Sequence, residues 1–307
     1  MKKILIIKHG AFGDIVLSLY AIFSINNHFK NSQITILTES KYKKIFEKIP
    51  FIKTVRIDNR AKIYNLISHL KLLLWFCESK FDWVFDLQTS NRTNVYYKLF
   101  SIFYRVKWSG TAKNCSHPHL DKKRITLHSV ERQKQQLKIA GITKFKNVVW
   151  RYFYEDISEF GIKKKFAVLV PGGSIGRPEK RWPLKKFIQI IQYFLNRNIM
   201  TVVIGGKDEI KLLESLHHEK LPMINLIGKT NFLQLVSFAK KACFVLGNDT
   251  GPMHLLSASS SYNTRKIVLF GSDSNPKLCA PIGKNIKILR KKNINDIEVE
   301  EVIKLIS

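Results

Sequence analysis

The stretch VLGNDTGPMHLLSA, residues 245–258, begins as an apolar strand-like run and ends as an apolar helix-like run. Between the two lie Asn248, Asp249, Thr250, Gly251, Pro252 and His254. A strand that stops in a short polar loop and restarts as a helix is the half-unit of a parallel sheet. The same join recurs at KILIIKHGAFGDIVLSL, residues 3–19, and at FAVLVPGGSIGRPEKRWPLKKFIQII, residues 166–191. The short, continuous apolar runs at 3–8 and 166–172 read as strands buried on both faces. Working outward, further strands are expected at 34–39, 54–58, 82–88, 200–206, 243–249 and 265–271. Helices are expected between them, notably over 14–29, 42–49, 61–78, 92–104, 128–142, 184–198, 207–218, 232–242 and 295–306. Around 151–165 the alternation lapses into RYFYEDISEFGIKKK, which reads as a linker. Two doubly wound parallel-sheet, Rossmann-like domains follow, residues 1–155 and 166–307, with the last helix free to pack back on the first. Ligands of such sheets sit beyond the carboxyl ends of the strands, so two such domains are expected to face a central cleft.

The bulk composition narrows the class. The chain has 307 residues, 45% of them hydrophobic, enough for real cores. Met1 opens no signal peptide, because the apolar run Ile4–Ile7 ends at Lys8 and His9. No run reaches the length of a membrane span; LKLLLWFC, residues 70–77, is too short and carries Lys71. Cys77, Cys115, Cys243 and Cys279 are scattered and form no C-x-x-C, which argues for a reduced, cytoplasmic setting without structural zinc. The 52 basic residues against 23 acidic give a net charge of +29, a field that attracts polyanions. A lysine-rich composition without a special target accounts for the charge equally well. The basic clusters at 41–48, 122–124, 163–165 and 284–292 form no single arm.

Three loops after strands carry candidate chemistry. In KHGAFGD, Lys8 to Asp14, Gly10 and Gly13 allow a tight turn and close approach of a ligand. The spacing is not G-x-G-x-x-G, so no dinucleotide fingerprint is read. Asp14 either caps the following helix or presents a carboxylate as a base. In PGGSIGRPEKRWP, Pro171 to Pro183, Gly172, Gly173 and Ser174 could wrap a phosphate that Lys180 or Arg181 neutralises; a solvated surface loop is the alternative. In the opening stretch, Pro252 suits a first helical turn, and the amides of Thr250 and Gly251 point out along the helix axis. His254 lies one turn on, either as a packed histidine or as a ligand contact. Asp249 fits a helix cap or a sugar hydroxyl. Together they describe a junction built to hold a phosphate beside a hydroxylated group.

These blocks resemble glycosyltransferase family 9, the bacterial heptosyltransferases of lipopolysaccharide core assembly. ILIIKHGAFGDIVLSLYAI is similar to the family's N-terminal block, PGGSIGRPEKRWP to its second block ending in K-x-W-P, and GNDTGPMHLLSA with VLFGSDS to its third. The resemblance implies the GT-B fold, with the second domain binding the nucleotide-sugar donor and the first taking the acceptor. It implies inverting, metal-independent transfer with no cofactor beyond the nucleotide sugar, typically ADP-heptose. By position, Asp14 matches the general base and Lys180 the donor-phosphate lysine. Asp249, Thr250, Gly251 and His254 match the donor motif, with Ser174 beside it. In GGKDE, residues 205–209, Asp208 matches a nucleoside-contacting acid. Two positions depart from the pattern: Tyr20 stands where a proline is common, and Ile175 and Gly176 stand where threonines occur.

The expected partners are the donor, a lipopolysaccharide inner-core or lipid A acceptor, and the anionic surface of the inner membrane. The chain is expected to act as a monomer, held peripherally at the cytoplasmic face of that membrane and without nucleic acid. The segment Lys113–Arg124, with His117 and His119, reads as a solvated loop rather than an acceptor contact. The rival readings are a non-catalytic nucleic-acid or anion-binding module, and a nucleotide-sugar epimerase of the same fold.

Overall fold

The computed structural model describes residues 1–62, 64–173, 176–210 and 221–306. Ser174 and the side chain of Asp208, both expected at the site, lie outside the described residues, as does most of the helix expected over 207–218.

The chain divides into two units, Met1–Tyr152 and Phe153–Ser307. In the first, among the described residues, the strands are β1 (Lys3–Ile7), β2 (Gln33–Thr38), β3 (Ile52–Ile57), β4 (Trp83–Asp86), β5 (Lys107–Gly110) and β6 (His117–Pro118). They form one parallel sheet in the order β3-β2-β1-β4-β5-β6. In the second, β7 (Phe166–Val170), β8 (Met200–Val203), β9 (Met223–Asn225), β10 (Phe244–Asn248), β11 (Arg265–Phe270) and β12 (Ile286–Arg290) form another, in the order β12-β11-β10-β7-β8-β9. In each sheet the chain starts in the middle and winds out both ways. The strand order therefore reverses between β1 and β4, and between β7 and β10. Those two crevices are where a doubly wound sheet takes ligands.

The central strands are apolar because helices cover both faces: Ile4 to Ile7 and Phe166 to Val170 are all buried. The helix Phe12–His28 is buried along one unbroken run, Ile15 to Ile25, so it carries no polar stripe over that length. Tyr20, the departure noted above, fills its place by donating its hydroxyl hydrogen to Val130 O, 2.6 Å away on the helix Ser129–Ile139. On the opposite face, the helices Leu66–Ser79 and Asn91–Phe103 close a cluster that includes Leu5, Leu72, Phe76, Phe100 and Trp108.

Several expectations change. The strands β5, β6, β9 and β12 were not visible as hydrophobic runs: KWSG, HP, MIN and IKILR are short or polar, and all but MIN contain a charged or ring-polar residue. They stand at or near sheet edges, where one face needs no continuous apolar side. The helix expected from residue 61 begins at Leu66, where Asn65 caps it by accepting from Ser68 N. The expected linker is not free chain. Phe153 and Ile157 are buried, and Ser237 Oγ both accepts from Glu155 N at 2.9 Å and donates to Glu155 O at 2.6 Å. The last helix, Val299–Ile306, packs within its own unit. Val299, Val302 and Ile306 join the second unit's core with Trp182 and Phe187.

Candidate functional site

The second crevice is built from the loops after β7 and β10. Asn248 ends β10 fully buried, and its amide holds the two loops together. Its Nδ2 donates to Pro171 O at 2.8 Å and Gly172 O at 3.0 Å, while its Oδ1 accepts from Trp182 N at 3.1 Å. At about 1 kcal/mol each, those three bonds fix the start of the β7 loop and its K-x-W-P end against the end of β10. Trp182 is buried and donates its indole hydrogen to Ile297 O at 2.9 Å, which locks the segment from its other side.

With that frame fixed, Lys180 Nζ lies 3.3 Å from Asp249 Oδ2, and His254 Nε2 lies 3.6 Å from Asp249 Oδ1. All three side chains are largely buried. Burial opposes the charge on Asp249. The His254 and Ser274 hydrogen bonds, with the charges of His254 and Lys180, outweigh it and hold the carboxyl below the usual carboxylate range. Asp249 is therefore an ion-pair centre and not a helix cap. The cap position of the helix Gly251–Ser259 belongs to Thr250, whose hydroxyl caps no backbone amide and is buried without a partner. The first-turn amides of this helix have no intrahelical acceptor, and Pro252 removes one of them. His254 Nδ1 is likewise buried without a partner. A lysine, a histidine, a hydroxyl and a helix N-terminus thus share one polar corner.

Two glycines here answer to close packing. A Cβ on Gly247 would stand 2.7 Å from Val170 Cβ and 2.8 Å from Met253 Sδ. A Cβ on Gly172 would overlap the Glu209 carboxylate. That carboxylate also accepts from Gly206 N at 2.8 Å. Glu209 thus stands against the β7 loop. Gly173 is held through its carbonyl, which accepts from Arg181 Nη2 at 2.6 Å, so Arg181 ties the loop rather than standing free.

The first crevice is built from the loops after β1 and β4. Gln88 Oε1 accepts from His9 N at 3.0 Å and Gly10 N at 3.3 Å, pinning the β1 loop to the β4 loop. Gly10 has φ +155° and packs on Tyr42, whose ring a Cβ would meet at 2.9 Å. Gly13 lies inside the helix Phe12–His28. Asp14 stands in the first turn of that helix, exposed, with Oδ2 accepting from Ala11 N at 3.2 Å. The capping geometry is therefore present, and the exposed carboxylate has its remaining lone pairs open to solvent.

Beneath Asp14 lies a group that sequence reading passed over. Lys8 is buried, with Nζ donating to Leu87 O at 3.3 Å. Burial pushes its pKa down; the charges of Asp14 and Asp86 offset only part of that, and those of Arg132 and Arg124 add to it. Asp86 is fully buried: Oδ1 accepts from Gln88 N at 3.0 Å and Thr89 N at 2.9 Å, Oδ2 has no partner, and burial raises its pKa. Arg124 donates to Thr89 Oγ1 at 2.8 Å and to His119 Nδ1 at 3.3 Å. Burial lowers its pKa, and the charge of Arg132 adds to that. The Nε of Arg132 is buried without a partner. The segment expected to be solvated is thus partly buried: His119 is 1% exposed and Cys115 is also buried. The available signals were a lysine closing an apolar strand and an aspartate closing DWVFD, and neither motif reading used them. On the far side of the loop, His9 Nε2 lies 2.8 Å from Asp58 Oδ2, which also accepts from Tyr96 at 2.7 Å.

Comparison with known proteins adds to this geometry. The family model described as Glycosyltransferase family 9 (heptosyltransferase) matches residues 76–305. Lipooligosaccharide heptosyltransferase 2 of Campylobacter jejuni is 24% identical over 314 residues, covering 95% of this chain and 94% of its own. A solved glycosyl transferase family 9 protein from Veillonella parvula superposes with a TM-score of 0.82 at 21% identity, covering 99% and 95% of the two chains. The E. coli heptosyltransferase WaaC, solved with ADP-2-deoxy-2-fluoro heptose, superposes with a TM-score of 0.76 at 18% identity, covering 99% and 98%. The fold is of the GT-B type, and the chain belongs to glycosyltransferase family 9, a family of glycosyltransferases.

Proposed function

We propose that this glycosyltransferase moves heptose from ADP-heptose onto a lipopolysaccharide inner-core or lipid A acceptor, with inversion and without a metal. The observation that carries the reading is the Lys180–Asp249–His254 constellation at the N-terminus of the helix Gly251–Ser259. The second unit is the donor side. Lys180 and the first-turn amides at Thr250 and Gly251 meet the diphosphate, whose negative charge grows as it leaves. Asp249 holds Lys180 and His254 in place and accepts from sugar hydroxyls. Gly172 and Gly173 let the β7 loop approach the phosphates, while Ser174 and Asp208 remain donor contacts by resemblance. The names of the relatives and the donor analogue in the WaaC structure support the choice of sugar.

The first unit is the acceptor side. The acceptor hydroxyl oxygen attacks the anomeric carbon, and the bond from that carbon to the diphosphate breaks with its electron pair going to ADP. The hydroxyl proton passes to Asp14. The exposed position of Asp14 suits a large acceptor, and Lys8, Arg124 and Arg132 give its surroundings the sign that an acidic saccharide needs. The enzyme works as a cytoplasmic monomer held peripherally on the anionic inner leaflet by its +29 charge.

The test is incubation of the purified protein with ADP-heptose and a water-soluble inner-core saccharide. A product one heptose heavier, with the anomeric configuration inverted relative to the donor, is expected. An isomerised donor formed without acceptor would replace this reading by the epimerase.

A further inference from the structure

The helices Leu66–Ser79 and Asn91–Phe103 lie side by side on one face of the first sheet, with the Phe76 and Phe100 rings stacked 4.1 Å apart between them. Their inward residues include Leu72, Phe76, Tyr96 and Phe100. Leu70 and Leu74 stand two positions either side of Leu72, about 200° round the helix, so they face outward. Both helices carry large apolar residues on that outer side. Ile67 is 69% exposed, Leu70 55%, Leu74 52%, Ile102 72% and Phe103 64%, with Leu99 between them. Single exposed apolar residues are ordinary, whereas two adjacent stripes on neighbouring helices mark an interaction surface.

Charge identifies the occupant. Lys71 and Lys98 stand within the stripes, and Arg105 and Lys107 follow the second helix, all exposed. From Gln88 to Leu120 the sequence has Arg92, Lys98, Arg105, Lys107 and Lys113 and no acidic residue. Glu78 is the only acid in the helix Leu66–Ser79. A second copy docking here would bring two cationic rims together, whereas an anionic bilayer neutralises the rim and takes up the apolar side chains. Lysine stems in such a stripe cover apolar surface while the ammonium stays at headgroup level. No helix among the described residues is long and apolar enough to cross a membrane, so insertion is shallow.

We infer that the outer face of these two helices is the membrane-docking surface of the protein, inserting Leu70, Ile102 and Phe103 among the headgroups and acyl boundary of an anionic leaflet. The inference rests on the peripheral-membrane part of the function proposed above and names the face responsible.

The test is flotation with vesicles of phosphatidylcholine, with and without phosphatidylglycerol, at low salt. The wild-type chain is compared with I102S/F103S, K71Q/K98Q and the control Y262S, an exposed aromatic of the second unit. I102S/F103S is expected to weaken partitioning roughly tenfold or more. K71Q/K98Q is expected to weaken it only on the anionic vesicles, by roughly fivefold per lysine, and Y262S should leave it unchanged. Unfolding temperature and turnover on the water-soluble acceptor should stay at wild-type values in all three variants. If the wild-type chain floats and both stripe variants float equally well, this face is wrong while peripheral attachment stands. If the wild-type chain does not float at all, the membrane reading itself falls. A wild-type dimer in sedimentation that the stripe variants dissociate would show the face to be a contact between copies, and would overturn the inference.

Discussion

The two crevices share a topology and differ in electrostatics. Each lies where a parallel sheet reverses its strand order, and each is pinned by one amide side chain, the half-buried Gln88 in the first and the buried Asn248 in the second. In the second, the carboxylate of Asp249 is largely buried and answered by Lys180 and His254. In the first, the carboxylate of Asp14 is exposed, and the buried Lys8, whose pKa burial lowers, lies near enough to feel its charge. The same topology therefore frames two different corners, one with an ion-paired carboxylate before a helix N-terminus and one with an exposed carboxylate in a helix's first turn. The fold supplies the crevices, and the few charged residues at the strand ends set them apart.

Changing Asp14 to Asn tests the first half of that contrast. General-base loss should lower kcat by about 10²–10⁴-fold. The donor Kd, read by calorimetry with ADP, should stay put, and a weakened Kd would break the contrast. Lys180→Ala should lower kcat/KM by roughly 10²–10³-fold and weaken ADP binding as well. Equal ADP affinity in this variant would remove Lys180 from the donor side.

Two further changes probe the frames rather than the chemistry. Gly247→Ala forces a methyl against Val170 Cβ and the Val170 backbone oxygen, neither of which can swing away, and should cost about 3 kcal/mol in urea unfolding. It should lower donor affinity with it, because Asn248 and Asp249 follow directly. On the first side, burial opposes ionisation of Asp58, but hydrogen bonds from His9 and Tyr96 bring its pKa down to about 2. A carboxyl depressed in the folded state stabilises above its unfolded pKa, and that stability is lost as pH falls through the folded value. The difference in unfolding free energy between wild type and Asp58→Asn should be about 2 kcal/mol at neutral pH. It should shrink between pH 4 and pH 2. A difference that stays constant over that window would show that the hydrogen bonds, not the charge, hold the loop.

The legible part of the molecule was set by patterns local in the chain. Runs such as KILII and FAVLV can only be strands buried on both faces, and each is followed at once by a polar loop and an apolar helix. That repetition gives two doubly wound sheets, and the positions of Asp14, Lys180, Asp249 and His254 beyond strand ends follow from it. The edge strands β6, β9 and β12, and β5 next to an edge, were not legible, because a strand at the rim of a sheet is recruited by its neighbour's backbone and needs no apolar run of its own. Lys113–Arg124 looked solvated for the same reason. Its polarity says nothing of the Thr89 hydroxyl and Gln135 amide that Arg124 and His119 reach across the fold.

The sequence alone determined the strand–loop–helix alternation, the two-sheet fold and the residues offered at the strand ends, since these depend on periodicity and on neighbours along the chain. Only the tertiary structure decided which of those residues meet. Asp249 pairs with Lys180 from 69 positions away, Gln136 reaches the strand-end carbonyl of Asp86, and Glu209 fills the space that Gly172 leaves open. Such contacts are set by how strands order themselves in a sheet, and strand order is a property of packing that no local run of residues encodes.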